Sequence, residues 1–545
     1  MRVLGINAIY HDPAACLVDD GRIVAAAEDE RFSRRKHGKR PVPFAAWEMP
    51  DAAARWCLER GGVAADALDA ITYSFDPGLY LPPEKLGVYD PWDHLRLTYA
   101  ERAGAFLADA LPGLEPSALR YVPHHVAHAG SAALAGPYAA ECAVLVLDGR
   151  GERHSHLAAH CVDSRLKPLY SQQLPQSLGL VYEEATEHLG FLRSSDEYKV
   201  MALASYGQPR HLDALRPFVH ATGDGGFVAS GIDWNAFTKP RAADEQWTAE
   251  HADLAASLQA VVEETILELA RWLHARTGAR ALAMAGGVAL NCVANSRVFA
   301  ETPFEHVWVQ PAAGDAGTAL GGALVVAADS GDELTAMMSA ALGREATEGE
   351  IEAALRTARV PYERPDDLAE TVADELARDG IVAWVQGRSE FGPRALGHRS
   401  LLAHPGRAEN LTRLNDVKGR EQFRPVAPMV LRERAAELFS RGPIPSPYML
   451  FVHDVAEAWR DRIPAVVHVD GTARIQTVDV ADDPVLAKML AGFERRTGLP
   501  VVVNTSLNTA GRPMVDSVRD ALECFGSTPI DLMALGPFVL RRGRA

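Results

Sequence analysis

The sequence predicts a two-domain protein of the α/β class, and three observations carry that expectation. Apolar runs of strand length end repeatedly in glycine-bearing turns, as at CAVLVLDGRGE (142–152) and ALAMAGGVALN (281–291). Between these two blocks, from about Asp253 to Arg276, apolar residues recur at helical spacing. The chain has 545 residues, more than one hydrophobic core usually holds, since single cores stop growing at roughly 250–300 residues.

Each element follows from local chemistry. VLGINAI, AACLVDD and RIVAAAEDE are apolar runs, and the Asp19-Asp20-Gly21 turn between the last two is a hairpin signal, so the chain opens on antiparallel strands. In the long stretch, Leu254, Leu258, Val262, Ile266, Leu269 and Leu273 line one face of a helix that covers a sheet. Strand, glycine turn and helix recur, so residues 1–345 read as one duplicated α/β domain. From 329 to 369 the chain turns polar and acidic, which places the domain boundary near 340–350. Beyond it GIVAWVQ, PAVVHVD, ARIQTVDV and LPVVVNTS read as strands interleaved with a helix near 369–378, giving a smaller α/β domain over 346–545.

A net charge of −17 opposes phosphate backbones over the surface as a whole, so no nucleic-acid partner is expected, while local basic pockets for phosphorylated small ligands remain compatible with it. Six cysteines are scattered without a CxxC pair, which argues against a zinc knuckle or a disulfide framework and fits a reducing cytoplasm. The opening MRVLGINAIYHD has no basic leader, and no apolar run approaches the ~20 residues of a membrane span. A cytoplasmic location without a membrane partner is therefore expected.

The sharpest local feature is His124-His125-Val126-Ala127-His128, in which His124 and His128 stand four apart and face one side of a helix, as joint metal ligation requires. Asp148 ends an apolar strand and Asp315 lies in the AAGDAGTALGGA turn, where α/β folds gather ligands. Two imidazoles and two carboxylates suit iron(II), zinc or manganese. The bland alternative is a polar surface cluster with two turn-forming aspartates. Gly149, Gly286, Gly287 and Gly314 sit in turns able to bring backbone N–H groups to a phosphate, with Asn291 closing the second block. Singly such turns usually only pack; three in one domain fit an actin-like ATPase architecture, and no Walker A pattern occurs. His11 and Asp12 follow the first strand, where an imidazole can move a proton near neutral pH or simply be a satisfied structural group.

In the second domain QGRSEFGPRALGHRS places Arg394 and Arg399 beside glycine turns, and Lys418, Arg420 and Arg424 follow in VKGREQFRPVAP. Arg474 lies in TARIQTV, and Asn504 and Ser506 end the VVV strand. Arginine binds phosphate bidentately, and amides and hydroxyls complete such a site. Salt-bridged surface cations are the competing reading; the neighbouring glycine and proline turns favour a site.

These segments, in this order, resemble the O-carbamoyltransferases of the nodulation and antibiotic-tailoring type across essentially the whole chain. The resemblance rests on VLGINAIYHDPAACLVDDGRIVAAAEDERFSRRKH, HHVAHAGSAA, VLDGRGE, EYKVMALASYG, AGGVALN, PAAGDAGTALGGA, FGPRALGHRSLLA, FRPVAP and VNTSLN. It implies an actin-like N-terminal domain that transfers the carbamoyl group, and a C-terminal domain related to threonylcarbamoyl-adenylate synthases. That second domain would make carbamoyl-adenylate from carbamoyl phosphate and ATP with Mg2+. Carried over, His124, His128, Asp148 and Asp315 would hold a metal, usually iron(II) in this family. Arg394, Arg399, Lys418, Arg424, Arg474, Asn504 and Ser506 would hold carbamoyl phosphate and the adenylate, and His11 would serve as base toward an acceptor hydroxyl.

Regions 72–100 and 208–250 match no motif, and their aromatic and acidic residues suit a sugar or another polyhydroxylated acceptor as well as they suit plain surface. Rival readings are a tRNA-modifying relative, opposed by the acidic charge and the lack of a basic arm; a hydrogenase-maturation carbamoyltransferase, opposed by the missing CxxC; and a non-catalytic nucleotide-binding regulator, which leaves the candidate site residues without a role.

Overall fold

A computed structural model describes residues 1–38 and 49–542. The chain forms two compact units, 1–338 and 339–545, so the division falls a few residues before the position expected from composition. Residues 39–48, which follow the FSRRKH run, and residues 543–545 lie outside the described residues.

The first unit holds two five-stranded sheets of the same plan. In one, Arg22–Glu28, Ala14–Asp19, Arg2–Asn7, Ala70–Tyr73 and Leu119–Tyr121 lie side by side in that order. The first three strands pair antiparallel, with Leu4 opposite Leu17 and Leu17 opposite Ala25, and the last two join parallel. The other sheet runs Arg165–Gln173, His154–Val162, Glu141–Leu147, Ala281–Ala285, His306–Val309, again three antiparallel strands and then two parallel ones. The duplication expected from the recurring strand–turn–helix pattern is thus present in strand order and direction.

The long helix spans Ala249–Thr277, begins on a capping box at Thr248 and ends at Gly278, whose φ of 64° closes its last turn. All six apolar residues predicted to form its stripe are buried. Helix Ala316–Asp329 packs on helix His124–Ala133 and on strand Arg2–Asn7. The two helices approach closely enough that a Cβ on Gly321 would stand 1.7 Å from the Ala127 carbonyl oxygen, and one on Gly130 would stand 2.7 Å from the Gly321 carbonyl oxygen. Small residues here are a condition of the packing.

The second unit is built on seven strands ordered Gln476–Val478, Ala427–Leu431, Val501–Ser506, Arg399–Ala403, Val382–Val385, Leu532–Leu535, Phe538–Arg541. Helices Leu368–Ala377 and Pro484–Thr497 pack on each other and on this sheet, over a core that includes Trp384, Met429, Phe493 and Val502. Three of the four predicted strand runs form strands. PAVVHVD does not: Pro464–Val466 is a 3-10 turn with Ala465 and Val466 buried. Proline lacks the ladder N–H, so an apolar run that begins with it can bury its side chains as a turn instead of pairing. Among the described residues no helix is long and apolar enough to cross a membrane.

Candidate functional site

In the first unit, helix His124–Ala133 starts at the histidine itself. The buried Glu152 carboxylate accepts the His124 backbone N–H (2.8 Å) and the Asp76 N–H (2.8 Å), completing the helix start. One helical turn brings the His124 and His128 rings to 4.7 Å between centroids. Asp148 follows strand Glu141–Leu147, and Asp315 immediately precedes helix Ala316–Asp329. His124 Nε2 stands 3.4 Å from Asp148 Oδ2 and 3.6 Å from Asp315 Oδ1, and His128 Nε2 stands 3.8 Å and 3.6 Å from the same two oxygens.

Those separations are long for hydrogen bonds. They suit ligands gathered round a shared cation, because donors ~2.0–2.1 Å from one centre stand roughly 3–3.5 Å apart. Four side chains, all buried, present one donor atom each within 4.8 Å of one another. His124 Nε2, both ring nitrogens of His128 and Asp315 Oδ2 are buried without a hydrogen-bond partner among the described residues, a costly arrangement that a bound cation would relieve. His124 Nδ1 faces the Ser74 carbonyl at 3.1 Å and so donates, which leaves the lone pair on Nε2, the nitrogen turned to the carboxylates. The residues present therefore fit a divalent metal.

The electrostatics agree. Burial alone would lower the pKa of His124, but the Asp148 and Asp315 carboxylates outweigh it and raise it well above the ordinary value. Burial would raise Asp315, yet His11, His124 and His128 bring it down to about 2. A centre with two ionised carboxylates favours positive charge between them. His125 points away from the cluster: burial and the neighbouring His124 push its pKa far down, keeping it neutral.

The glycine turns adjoin the two candidate carboxylates, Gly149 next to Asp148 and Gly314 next to Asp315. Gly286 has φ 93° and no room for a Cβ, which would clash with the Leu147 carbonyl. That crossing brings the Gly287 N–H within 2.8 Å of Asp148 Oδ1. Ser177 Oγ donates to the Gly149 carbonyl at 2.7 Å, and Gly314 borders open space. Asn291 is occupied otherwise: its Oδ1 caps helix Cys292–Glu301 through Ala294 N, and its amide donates to Gln259. His11 lies beside the cluster, with Nε2 3.7 Å from Asp315 Oδ2. Glu152, Ser74 and Asn7 support the site, and sequence reasoning assigned them no role. Only the position of Glu152 next to the VLDGRG turn pointed to it.

In the second unit the register decides which residues meet. Opposed residues share a face of the sheet, and Ser400 faces Ser506, Leu402 faces Asn504, Ala427 faces Asn504, and Met429 faces Gln476. Asn504, Ser506 and Gln476 therefore share one face. Lys418 at the end of helix Glu409–Lys418 donates to Ser506 Oγ (3.0 Å), to the Ser506 carbonyl and to Asn508 Oδ1 (2.6 Å). Asn504 is fully buried; its Nδ2 donates to Gln476 Oε1 (2.7 Å) and to the Ala395 carbonyl (3.2 Å), tying down the turn that carries Arg394. Arg424 precedes strand Ala427–Leu431 and Arg474 precedes the parallel strand Gln476–Val478, so both lie at the strand end where Ser506 terminates its antiparallel neighbour. The Arg474 Nε is buried without a hydrogen-bond partner among the described residues.

Arg399 is placed apart from that group. It pairs with Val385 on the opposite face of the sheet. Its guanidinium donates to the carbonyls of Gln386 (3.0 Å), Gly387 (3.1 Å), His398 (3.2 Å), Asp516 (3.3 Å) and Arg344 (3.0 Å). Burial lowers its pKa below the usual arginine value. Arg399 also lines a cavity of about 720 Å³ with Val385, Gln386, Asp516 and Lys488. In this position it fastens backbone turns together.

The chain is thus an α/β protein with a buried two-histidine, two-aspartate cluster in one unit and a cationic strand-end cluster in the other. It belongs to the carbamoyltransferase family: the model described as carbamoyltransferase N-terminus matches residues 2–79 and 99–324, and the one described as carbamoyltransferase C-terminus matches 373–542. Nodulation protein NolNO of Sinorhizobium fredii is 37% identical over 559 residues, covering 99% of this chain and 80% of that protein. Nodulation protein U of the same organism is 31% identical, covering 96% of each. Among solved structures, T. kodakarensis HypF aligns at 14% identity and a TM-score of 0.34, over 61% of this chain and 49% of that one. The family assignment makes the chain a transferase.

Proposed function

We propose that the protein is a cytoplasmic ATP-dependent O-carbamoyltransferase in which residues 339–545 make carbamoyl-adenylate and residues 1–338 pass the carbamoyl group to a hydroxyl of a small molecule, a sugar or a secondary metabolite. The observation that carries the reading is the pair of separate polar clusters, one in each unit of a chain that the family models match along both.

In the activation step water takes the phosphoryl group of carbamoyl phosphate, giving phosphate and carbamate. The carbamate oxygen then attacks the α-phosphorus of ATP, held with Mg2+, displacing pyrophosphate and forming carbamoyl-adenylate. Lys418, Arg424 and Arg474 supply positive charge for the phosphoryl groups, with Arg394 beside them; Ser506 and Asn508 orient Lys418, and Asn504 holds the Arg394 turn. Arg399, on the other face, acts by fixing the turns at 386–387 and 398. The mixed anhydride with AMP has a better leaving group than carbamoyl phosphate, and shielding it from water preserves it.

In the transfer step the acceptor oxygen attacks the carbamoyl carbon, the carbon–oxygen bond to AMP breaks, and AMP leaves with the electron pair. His11 Nε2 takes the hydroxyl proton. His124, His128, Asp148 and Asp315 would hold the divalent metal, iron(II) foremost with zinc or manganese as alternatives. When bound, such an ion supplies Lewis-acid stabilisation of charge on phosphate or carbonyl oxygen. The amides of Gly149 and Gly314, in the turns that adjoin Asp148 and Asp315, suit the adenylate phosphate, while the Gly287 N–H holds Asp148 Oδ1.

The test is acceptor-free pyrophosphate release by purified protein given ATP and carbamoyl phosphate. Release that depends on carbamoyl phosphate is the expected result, and its absence refutes the activation step.

A further inference from the structure

The turn that carries His11 is held in a conformation ordinary residues avoid. Tyr10 and Asp12 have φ of 53° and 51°, and His37, which hydrogen-bonds with Asp12, has φ 64°. Left-handed backbone at non-glycine residues persists only where surrounding structure imposes it, and such outliers gather at functional sites. Here the imposing contacts are visible. Buried Asn7 donates its amide to the His11 carbonyl (2.9 Å) and to the Asp12 carbonyl (3.0 Å). The Asp12 N–H donates to the His37 carbonyl (3.0 Å), and the His37 N–H donates to Glu30 Oε2 (3.0 Å).

The side chains continue the pattern. Asp12 Oδ2 stands 2.8 Å from His11 Nδ1, and Asp12 Oδ1 stands 2.7 Å from His37 Nδ1. An ionised carboxylate only accepts hydrogen bonds, so each ring nitrogen facing it carries the proton. A neutral His11 then has its lone pair on Nε2, the nitrogen directed to the Asp315 end of the site. With one oxygen on each imidazole, the Asp12 carboxylate cannot swivel without losing a partner. A single Asp–His contact lacks that constraint.

We propose that Asp12 is a positioning residue for the transfer step: it selects the tautomer and orientation of His11, and His37 in turn clamps Asp12. The inference rests on the reading of His11 as the base, and it separates that role from mere packing. A carboxylate behind a catalytic imidazole acts by holding the tautomer, without taking up the proton itself.

The experiment uses the full chain supplemented with zinc and labelled with 15N-histidine, read by long-range proton–nitrogen correlation. The His11 signals are assigned by their loss in His11→Gln. At a pH where the His11 ring of the parental protein is neutral, its proton should sit at Nδ1; a neutral ring protonated at Nε2 overturns the proposal without recourse to any variant. In Asp12→Ala the His11 ring should shift wholly or partly to the Nε2-protonated form at unchanged zinc content, and an unchanged tautomer overturns the proposal. Should Asp12→Ala fail to fold, Asp12→Asn decides: its amide offers one donor and one acceptor to two imidazoles, so either His11 or His37 must switch tautomer, and retention of both refutes the clamp. Acceptor-free pyrophosphate release is measured on the parental protein alongside. Its absence would defeat the proposed activation chemistry while leaving the tautomer result to judge Asp12.

Discussion

Removing the His128 imidazole takes away one of four donors and leaves two buried carboxylates facing a single histidine. His128→Ala should therefore purify with clearly less bound metal than the parental protein, measured by elemental analysis, and unchanged stoichiometry would refute the assignment. On the other unit, Arg424→Ala and Arg474→Ala each remove a charge-assisted contact worth about 1.5–3 kcal/mol, or roughly ten- to hundredfold in rate. Carbamoyl-phosphate-dependent pyrophosphate release should fall by that factor with metal content unchanged. The histidine pair was legible because helix geometry turns a spacing of four into a shared face, and the aspartates because strand ends with glycine turns are where such folds open. Arg399 was not. It is the neighbour of Ser400, and in a strand adjacent residues point to opposite faces, so only the register reveals that Arg399 and Ser506 are on different sides. Composition carries no register.

At the scale of elements, the contact between helices His124–Ala133 and Ala316–Asp329 carries two of the candidate ligands from one helix and positions a third at the start of the other. Gly321→Val forces side-chain atoms into the Ala127 carbonyl, and overpacking of this kind costs about 1–3 kcal/mol or more. The variant should melt at lower temperature in calorimetry and bind metal more weakly, because separating the helices moves the Asp315 carboxylate away from both imidazoles. A second element, residues 80–98, falls outside the stretch that the family model matches, yet it is fastened to the candidate site. Arg150, two residues beyond Asp148, donates two hydrogen bonds to the buried Asp93 (2.7 and 2.8 Å), and Arg96 donates a third (2.7 Å). Asp93→Ala leaves two arginines short of their shared carboxylate and should cost about 3 kcal/mol in denaturant unfolding; a change within error would show that the segment is held by other contacts. This anchoring was not readable from sequence, since Asp93 and Arg150 lie far apart along the chain. The PAVVHVD turn shows the converse failure, in which a pattern that suits a strand is overruled by its leading proline.

For the whole molecule, the repeated strand order of the first unit is the feature least accessible to sequence reading. Periodicity shows that a strand exists and not which strand lies beside it; the recurring glycine turns announced two related halves without specifying their neighbours. The second unit has its own sheet and core. Expressed alone, residues 339–545 should unfold in a single cooperative transition and release pyrophosphate from ATP and carbamoyl phosphate. A fragment that folds but stays inactive would mean that activation needs the first unit.

The four candidate ligands are also spread in time as well as in space. His124, His128 and Asp148 leave the ribosome early, but the centre stays one carboxylate short until Asp315 has been made, past the midpoint of the 545-residue chain. That carboxylate then reaches the imidazoles only by docking the helix it precedes, between elements whose own neighbours were synthesised hundreds of residues earlier. Until then the proposed centre has two histidines and one aspartate. If these side chains hold a metal as proposed, the complete four-ligand set is assembled only when the last helix of the first unit has seated.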